Sequence, residues 1–373
     1  MKRDFTHRCR TGVHVAPAQV LRVFARLRTV AAYMTLAATT LFSAAAVAQE
    51  ASSFRAKQIT IYVGFSATSG IGYDTYARVL GQVLGKYIPG KPTVVVSNKP
   101  GGGSMTAANY IAQVAAKDGS EIAMVGRGVG MDRLVFGAKS AAQFDATKMN
   151  WLGSMNNEVS GFFISDTAPV KSLEDVLAGK PFIVGSAGVS SDLHIFSIVT
   201  NAIFGSRMKI VSGYPGTNEI LLSLERGEVD GLLGYSWAAA RTGSAEMLRS
   251  GKLKNIMQLG LRKHADLPDL PLVMDLVKNE DDRRVLELIF ARQAMGRPLV
   301  APPGTPPATV AMLRKAFMEA MRDPELIETA RKLTLEIDAM PGEEVQGIVE
   351  RLHGFPEAVI ARTQALADAP AAR

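Results

Sequence analysis

Two stretches of small residues have the composition of ligand-holding loops. Gly64-Phe65-Ser66-Ala67-Thr68-Ser69-Gly70-Ile71-Gly72-Tyr73-Asp74 follows an apolar run and leads into a helical periodicity. Gly185-Ser186-Ala187-Gly188-Val189-Ser190-Ser191-Asp192 does the same further along. Glycine lets the backbone come close to a bound group, and hydroxyls supply adaptable donors. A helix that starts there adds unpaired N–H groups and the positive end of a dipole, which suits a carboxylate. The plainer reading of either loop is turn glycines and capping serines. Two such loops, one in each half of the chain, point to a ligand held between them. The candidate contacts are therefore Phe65, Ser66, Ala67, Thr68, Ser69 and Gly70 from the first loop. Ser186, Ala187, Gly188, Ser190 and Ser191 come from the second.

Other residues have two readings each. Arg127, before Gly128 and at the end of a strand-like run, can grip a carboxylate with its fork, or form a structural ion pair with Asp132. Tyr214, Tyr235 and Trp237 can wall an aromatic pocket or fill a core. His194 can touch a ligand or satisfy local backbone groups. Asp74, near a helix start, can meet a ligand or order its own loop.

Motifs for chemistry on a substrate are missing. There is no H-E-x-x-H, G-x-S-x-G or G-x-x-x-x-G-K-[ST]. Gly126-Arg127-Gly128-Val129-Gly130 begins like a dinucleotide fingerprint but has Met131 where the last glycine belongs. His194, His264 and His353 have no metal-ligand spacing. No cofactor is implied. An exported hydrolase or transferase remains the alternative, with Ser186 or Ser190 beside His194 as nucleophile and base.

The elements that would position these loops alternate. Strand-like runs at Ile59–Phe65, Thr93–Val96, Glu121–Val125, Phe182–Gly185, Lys209–Val211, Val229–Leu233 and Asn255–Leu261 are separated by helical patterns. The helices are expected over Gly72–Tyr87, Ser104–Ala116, Asp192–Phe204, Thr217–Glu225 and Trp237–Arg249. This alternation predicts an α/β architecture with parallel sheets. After Pro302-Pro303-Gly304-Thr305-Pro306-Pro307 the chain reads as helices: Thr309–Met321, Pro324–Lys332 and one long helix from Glu343 to Ala365.

The net charge of +7 over 373 residues invites a polyanion partner. The excess sits in residues 1–48, where Lys2, Arg3, Arg8, Arg10, Arg22, Arg26 and Arg28 face Asp4 alone. The rest is close to neutral, so nucleic acid loses its support. That first segment has the layout of an export signal: basic residues, the uncharged Val30–Phe42, then Ala46-Val47-Ala48 before Gln49. The rival reading is an uncleaved anchor. Cys9 is the single cysteine and lies in this leader, so the chain after it has no thiol chemistry.

From about Gln58 onward the chain resembles the periplasmic solute-binding receptors of tripartite tricarboxylate transporters, the Bug or TctC type. Asn98-Lys99-Pro100-Gly101-Gly102-Gly103 is similar to that family's N-R-P-G-A-G turn, and Lys117-Asp118-Gly119 to its P-D-G. Gly185-Ser186-Ala187-Gly188 with His194 is similar to its G-S-A-G…H-L loop. Tyr214, Gly216, Gly227-Glu228-Val229-Asp230, Leu267-Pro268-Asp269-Leu270-Pro271 and Ala301-Pro302-Pro303-Gly304-Thr305-Pro306-Pro307 fit the same order. The resemblance implies a two-lobed, type II periplasmic-binding-protein-like α/β fold. Lobe 1 would take about 49–157 and 259–373, including the C-terminal helices, and lobe 2 would take 158–258. It implies a receptor that closes by a hinge on a small organic acid and serves a membrane permease; a monomer is the default expectation for such a receptor. A sensing role with a membrane signalling partner is the variant of this reading. Three departures fall at the expected pocket: the first loop lacks the family's prolines, Gly234-Tyr235-Ser236-Trp237 stands where an Asp is common, and Arg127 where small polar residues are usual.

Overall fold

The alternation of apolar with half-buried residues in Gln-Ile-Thr-Ile-Tyr-Val sets the first strand: Ile59, Ile61 and Val63 are fully buried while Thr60 and Tyr62 are half-buried. The computed structural model describes residues 54–65, 67, 72–186, 191–214 and 217–368. The expected leader 1–48 and the candidates Ser66, Thr68, Ser69, Gly70, Ala187, Gly188, Ser190 and Gly216 lie outside the described residues.

In chain order the elements begin with β1 (Gln58–Val63), α1 (Tyr73–Leu84), β2 (Thr93–Asn98), α2 (Met105–Gln113), β3 (Glu121–Met124) and α3 (Asp132–Phe136). Next come β4 (Asn150–Ser154), β5 (Ser160–Ser165), α4 (Leu173–Leu177), β6 (Pro181–Ser186), α5 (Asp192–Phe204) and β7 (Arg207–Ser212). They are followed by α6 (Thr217–Glu225), β8 (Gly231–Ser236), α7 (Trp237–Gly243), α8 (Ala245–Arg249), β9 (Leu253–Leu259) and α9 (Glu280–Ala294). The series ends with β10 (Pro298–Ala301), α10 (Pro307–Ala320), α11 (Pro324–Lys332), β11 (Met340–Pro341), α12 (Gly342–His353) and α13 (Glu357–Ala367).

Two sheets result. One has the order β11-β4-β10-β3-β1-β2 and the other β7-β6-β8-β5-β9. The α/β class read from the sequence is the observed one, but the sheets are mixed rather than parallel. β1 runs parallel to β2 and β3, and β6 parallel to β7 and β8. β10 is antiparallel to β3 and β4, and β5 to β8 and β9. The strands that make the sheets mixed include four absent from the sequence reading: β4, β5, β10 and β11. They are short or continuously buried, so they carry neither alternation nor length as a signal. α9 was also missed.

Two expected helices are split. The Trp237–Arg249 helix breaks at Ser244, whose φ and ψ are −121° and 22°. The long C-terminal helix breaks between His353 and Glu357, where Gly354 and Pro356 interrupt the hydrogen-bond ladder. α10 and α12 pack on β4, and α11 packs on α1. α13 packs on α3 and α9 but also reaches α5, which follows β6 of the second sheet.

Candidate functional site

The site lies where parallel strands end and antiparallel strands begin. Arg127 follows β3, Asp192 opens α5 after β6, and Ser236 ends β8. Glu158 precedes β5, and Arg297 precedes β10. The pairing Ser160↔Ser236 and the Val125 N–H bond to Pro298 O at 3.1 Å bring these ends level. An open α/β sheet places ligands beyond the carboxyl ends of its parallel strands. A cleft of about 420 Å³ sits here, lined by Phe65, Tyr73, Gly102, Gly103, Met105, Gly126, Arg127, Gly128, Val129, Asp132, Phe136, Glu158, Asp192, Ser236, Arg292 and Arg297.

The turn after β2 builds one wall. Ser104 takes a left-handed φ of 85°, which puts its Oγ 2.9 Å from the Gly126 N–H it accepts. A Cβ on Gly64 would meet that Oγ at 1.8 Å, so only glycine fits at the start of the first loop. Asn98 Nδ2 donates to Phe65 O at 2.8 Å and to Asp74 Oδ1 at 2.7 Å. Arg78 donates to both Asp74 oxygens at 2.8 and 3.0 Å. Asp74 thus orders its own loop, the second of its two readings, and its carboxyl is held below the usual range chiefly by Arg78. Phe65 and Tyr73 stack with centroids 4.3 Å apart, forming an apolar face with Met105, Val129 and Phe136.

A second part of the lining is ionic. Arg127 Nε donates to Asp192 Oδ2 at 2.9 Å, and its Nη2 donates to the same oxygen. Arg292 Nη1 takes Asp192 Oδ1 at 2.8 Å. Arg297 Nη1 reaches Glu158 Oε2 at 3.2 Å, and Ser236 donates to Glu158 Oε1 at 2.5 Å. Arg127 Nη1 stands 3.9 Å from Glu158 Oε2, beyond hydrogen-bond reach. The Arg297 guanidinium also lies 4.6 Å from the Tyr73 ring centroid and 4.9 Å from that of Tyr76, a cation–π arrangement. Burial opposes ionisation of Asp192, but Arg127 and Arg292 outweigh it and bring its pKa down to about 2. Burial likewise opposes ionisation of Glu158, and Arg297 with Arg127 outweighs it. Burial also disfavours charged Arg127, yet Asp192 and Glu158 raise its pKa above the ordinary arginine value.

Arg127 is therefore an ion-pairing residue, though its partner is Asp192 and not Asp132. Asp132 accepts instead from Ser140 Oγ at 2.6 Å. Phe65, Arg127 and Gly128 line the cleft; the other described candidates do not. Ala67 is exposed. Ser186 and Ser191 hydroxyls meet at 3.2 Å, and Ser191 caps α5 by accepting from the His194 N–H. His194 is buried, its Nδ1 is 2.9 Å from Ser212 Oγ, and burial lowers its pKa. Tyr214, Tyr235 and Trp237 belong with the apolar cluster around Phe163 and Ile220, and Tyr235 Oη reaches Ala239 O and Ser244 Oγ at 3.2 Å each. No group of three or more His, Cys, Asp or Glu able to hold a metal occurs among the described residues.

Sequence reading missed Arg292, Arg297, Glu158, Asp192 and Ser236. Asp192 closed a loop already singled out, but an acidic residue at a helix start reads as dipole complement. Glu158 and Arg297 adjoin the strands that carry no period, and Arg292 lies on the unassigned α9.

Residues 77–353 match the tripartite tricarboxylate transporter family receptor model. The chain belongs to this family. It is a solute-binding receptor. A UPF0065 protein from the gbd 5′ region of Cupriavidus necator is 28% identical over 295 residues, 77% of this chain and 81% of that one. Among solved structures, a TctC solute-binding protein from Polaromonas shares 20% identity with a TM-score of 0.64, covering 83% of this receptor and 97% of that chain. MatC from Rhodopseudomonas palustris, with bound malate, shares 19% identity with a TM-score of 0.55, covering 83% and 99%. An R. palustris protein with adipate shares 20% with a TM-score of 0.57, covering 83% and 96%. At these identities the structures establish a common fold.

Proposed function

We propose that this receptor captures a small organic acid in the periplasm and presents it to a tripartite tricarboxylate-type membrane permease, without chemical change to the solute. The observation that carries the reading is the convergence of Arg127, Arg292 and Arg297 on one cleft at the strand ends of both sheets. Guanidinium groups in a partly dehydrated cleft recognise carboxylates through charge-assisted, directional hydrogen bonds. Malate and adipate in two structural relatives are in keeping with that choice. Backbone N–H groups of residues 66–70 and 186–191 supply the remaining contacts in this reading.

Export rests on the layout of residues 1–48, with cleavage after Ala48. The lobe boundaries proposed are 49–157 with 259–373, and 158–258. Membership of the sheets supports them, since β5 to β9 make one sheet and all other strands make the second. Hinge closure would then bring Arg127 and Asp192 together across the cleft.

Thermal unfolding of the purified protein against a panel of organic acids, with uncharged sugars as controls, tests the reading. A ligand at about 100 times its Kd adds about 2.7 kcal/mol of stability and raises the Tm. A Tm rise with acids only, and recovery of the acid unchanged, is the expected result. Stabilisation by sugars alone removes the carboxylate reading, and conversion of a stabilising acid makes the protein an enzyme.

A further inference from the structure

The cleft already holds a carboxylate of the protein's own. Both oxygens of Asp192 are taken, Oδ2 by Arg127 and Oδ1 by Arg292. Together with Glu158 and Arg297 this makes a contiguous set of three guanidinium groups and two carboxylates, with one excess positive charge. Asp132 also lines the cleft, with its carboxylate turned to Ser140. The stretches Ser66, Thr68–Ile71 and Ala187–Ser190 contain no ionisable side chain, so they leave this balance unchanged. Among the described residues, no protein oxygen holds Arg127 Nη1 at hydrogen-bond distance, Glu158 Oε2 standing 3.9 Å away. One incoming anionic group can use the Nη1 donors, while the Asp132 carboxylate adds to the repulsion that a second negative charge would meet. A second negative charge on the same solute would meet Asp192 and Glu158 in a site with little water to screen it.

Part of the lining is apolar. Phe65 stacked on Tyr73, with Met105, Val129 and Phe136, offers a carbon-lined surface to whatever is attached to the anionic group. A second carboxylate placed against these five side chains would be buried against hydrocarbon.

We propose that Asp192, as a built-in carboxylate between Arg127 and Arg292, restricts the cleft to solutes bearing one negative charge and an apolar body. Asp192 is a specificity residue in this reading, which rests on the carboxylate assignment made above and narrows it. The class expected is a monocarboxylate with an aliphatic or aromatic body, and the class rejected is the dicarboxylate on the same skeleton.

Matched pairs of probes test this by titration calorimetry at neutral pH: benzoate against terephthalate, and hexanoate against adipate. The wild-type protein is expected to bind the monoanion of at least one pair about tenfold or more tighter than its dianion. Asp192→Asn, which keeps the shape and removes the charge, is expected to abolish or reverse that preference, and Asp192→Glu to retain it. Equal or tighter binding of the dianions by the wild type overturns the inference while leaving the carboxylate reading in place. So does an unchanged preference in Asp192→Asn. Binding of none of the four, with stabilisation by uncharged solutes, removes the carboxylate reading itself and the inference with it. The wild-type comparison stands even if Asp192→Asn fails to fold.

Discussion

Two ionic clusters join elements of the first sheet to elements of the second, and they are built differently. In the cleft, Arg127 from the end of β3 meets Asp192 at the start of α5, with Arg292, Glu158 and Arg297 around them. Their side chains are 2 to 17% exposed. Outside it, Arg241 of α7 pairs with Asp266 at 2.6 Å and with Glu336, which lies between α11 and β11. Arg241 and Asp266 are 39% and 44% exposed. His264 completes this outer cluster, with Nε2 3.7 Å from Glu336 and Nδ1 3.9 Å from Asp266. The inner cluster contains no histidine, whereas the outer one does. Burial of every member makes the inner cluster costly to break, whereas the exposure of Arg241 and Asp266 weakens the outer one, whose Glu336 and His264 are 18% and 17% exposed.

The comparison breaks first at Arg127. Arg127→Met leaves the buried Asp192 with Arg292 alone and Glu158 with Arg297 alone. A loss of about 3 kcal/mol in urea unfolding is expected, because removing one member of a buried ionic set strands the others. The Tm rise with organic acids should vanish too. A loss as small as that of an exposed pair would show that the two clusters do not differ in the way their burial implies.

The acid limb sharpens the contrast. Asp192 has a folded pKa of about 2 against a usual 3.8. A depressed carboxyl contributes stability that is present above its unfolded pKa and is lost as pH falls through the folded one. The wild type should therefore lose stability steeply between about pH 4 and pH 2, and Asp192→Asn should flatten that limb. Equilibrium unfolding at stepped pH reads the difference.

The smallest effect belongs to the outer cluster. Arg241→Ala should cost at most about 1 kcal/mol, as exposed pairs do. Glu336 beside His264 outweighs the effect of burial and raises the histidine's pKa above 6.5. A raised base contributes stability that is complete below the unfolded pKa and disappears as pH rises through the folded value. His194 works in the opposite sense, since burial lowers its pKa and its protonation below about 6.5 opposes folding. Only the difference between wild type and His264→Gln isolates the outer cluster. That difference should shrink as pH rises from 6 to 8, and a constant difference would remove His264 from the account.

Much of the scaffold was legible from local pattern. Asp192–Phe204, Thr217–Glu225 and Pro324–Lys332 are helices over the residues expected, because apolar periodicity and start signals such as Ser191 and Pro324 act within a few residues. Two strands in the middle of the sheets, β5 and β10, behaved otherwise. β5 is buried at every position and β10 likewise, so neither shows the alternation that marks a strand with one wet face. Missing them hid the direction of the sheets and the two charged residues, Glu158 and Arg297, that stand at their ends.

The α/β class, the family and the absence of thiol chemistry after Cys9 follow from the sequence alone, since each rests on composition, order or residues close together in the chain. Only the tertiary structure decided what Arg127 does. Its partners Asp192, Glu158 and the neighbouring Arg292 come from segments far apart in the chain, and charges pair by distance in space, which no spacing along the chain encodes.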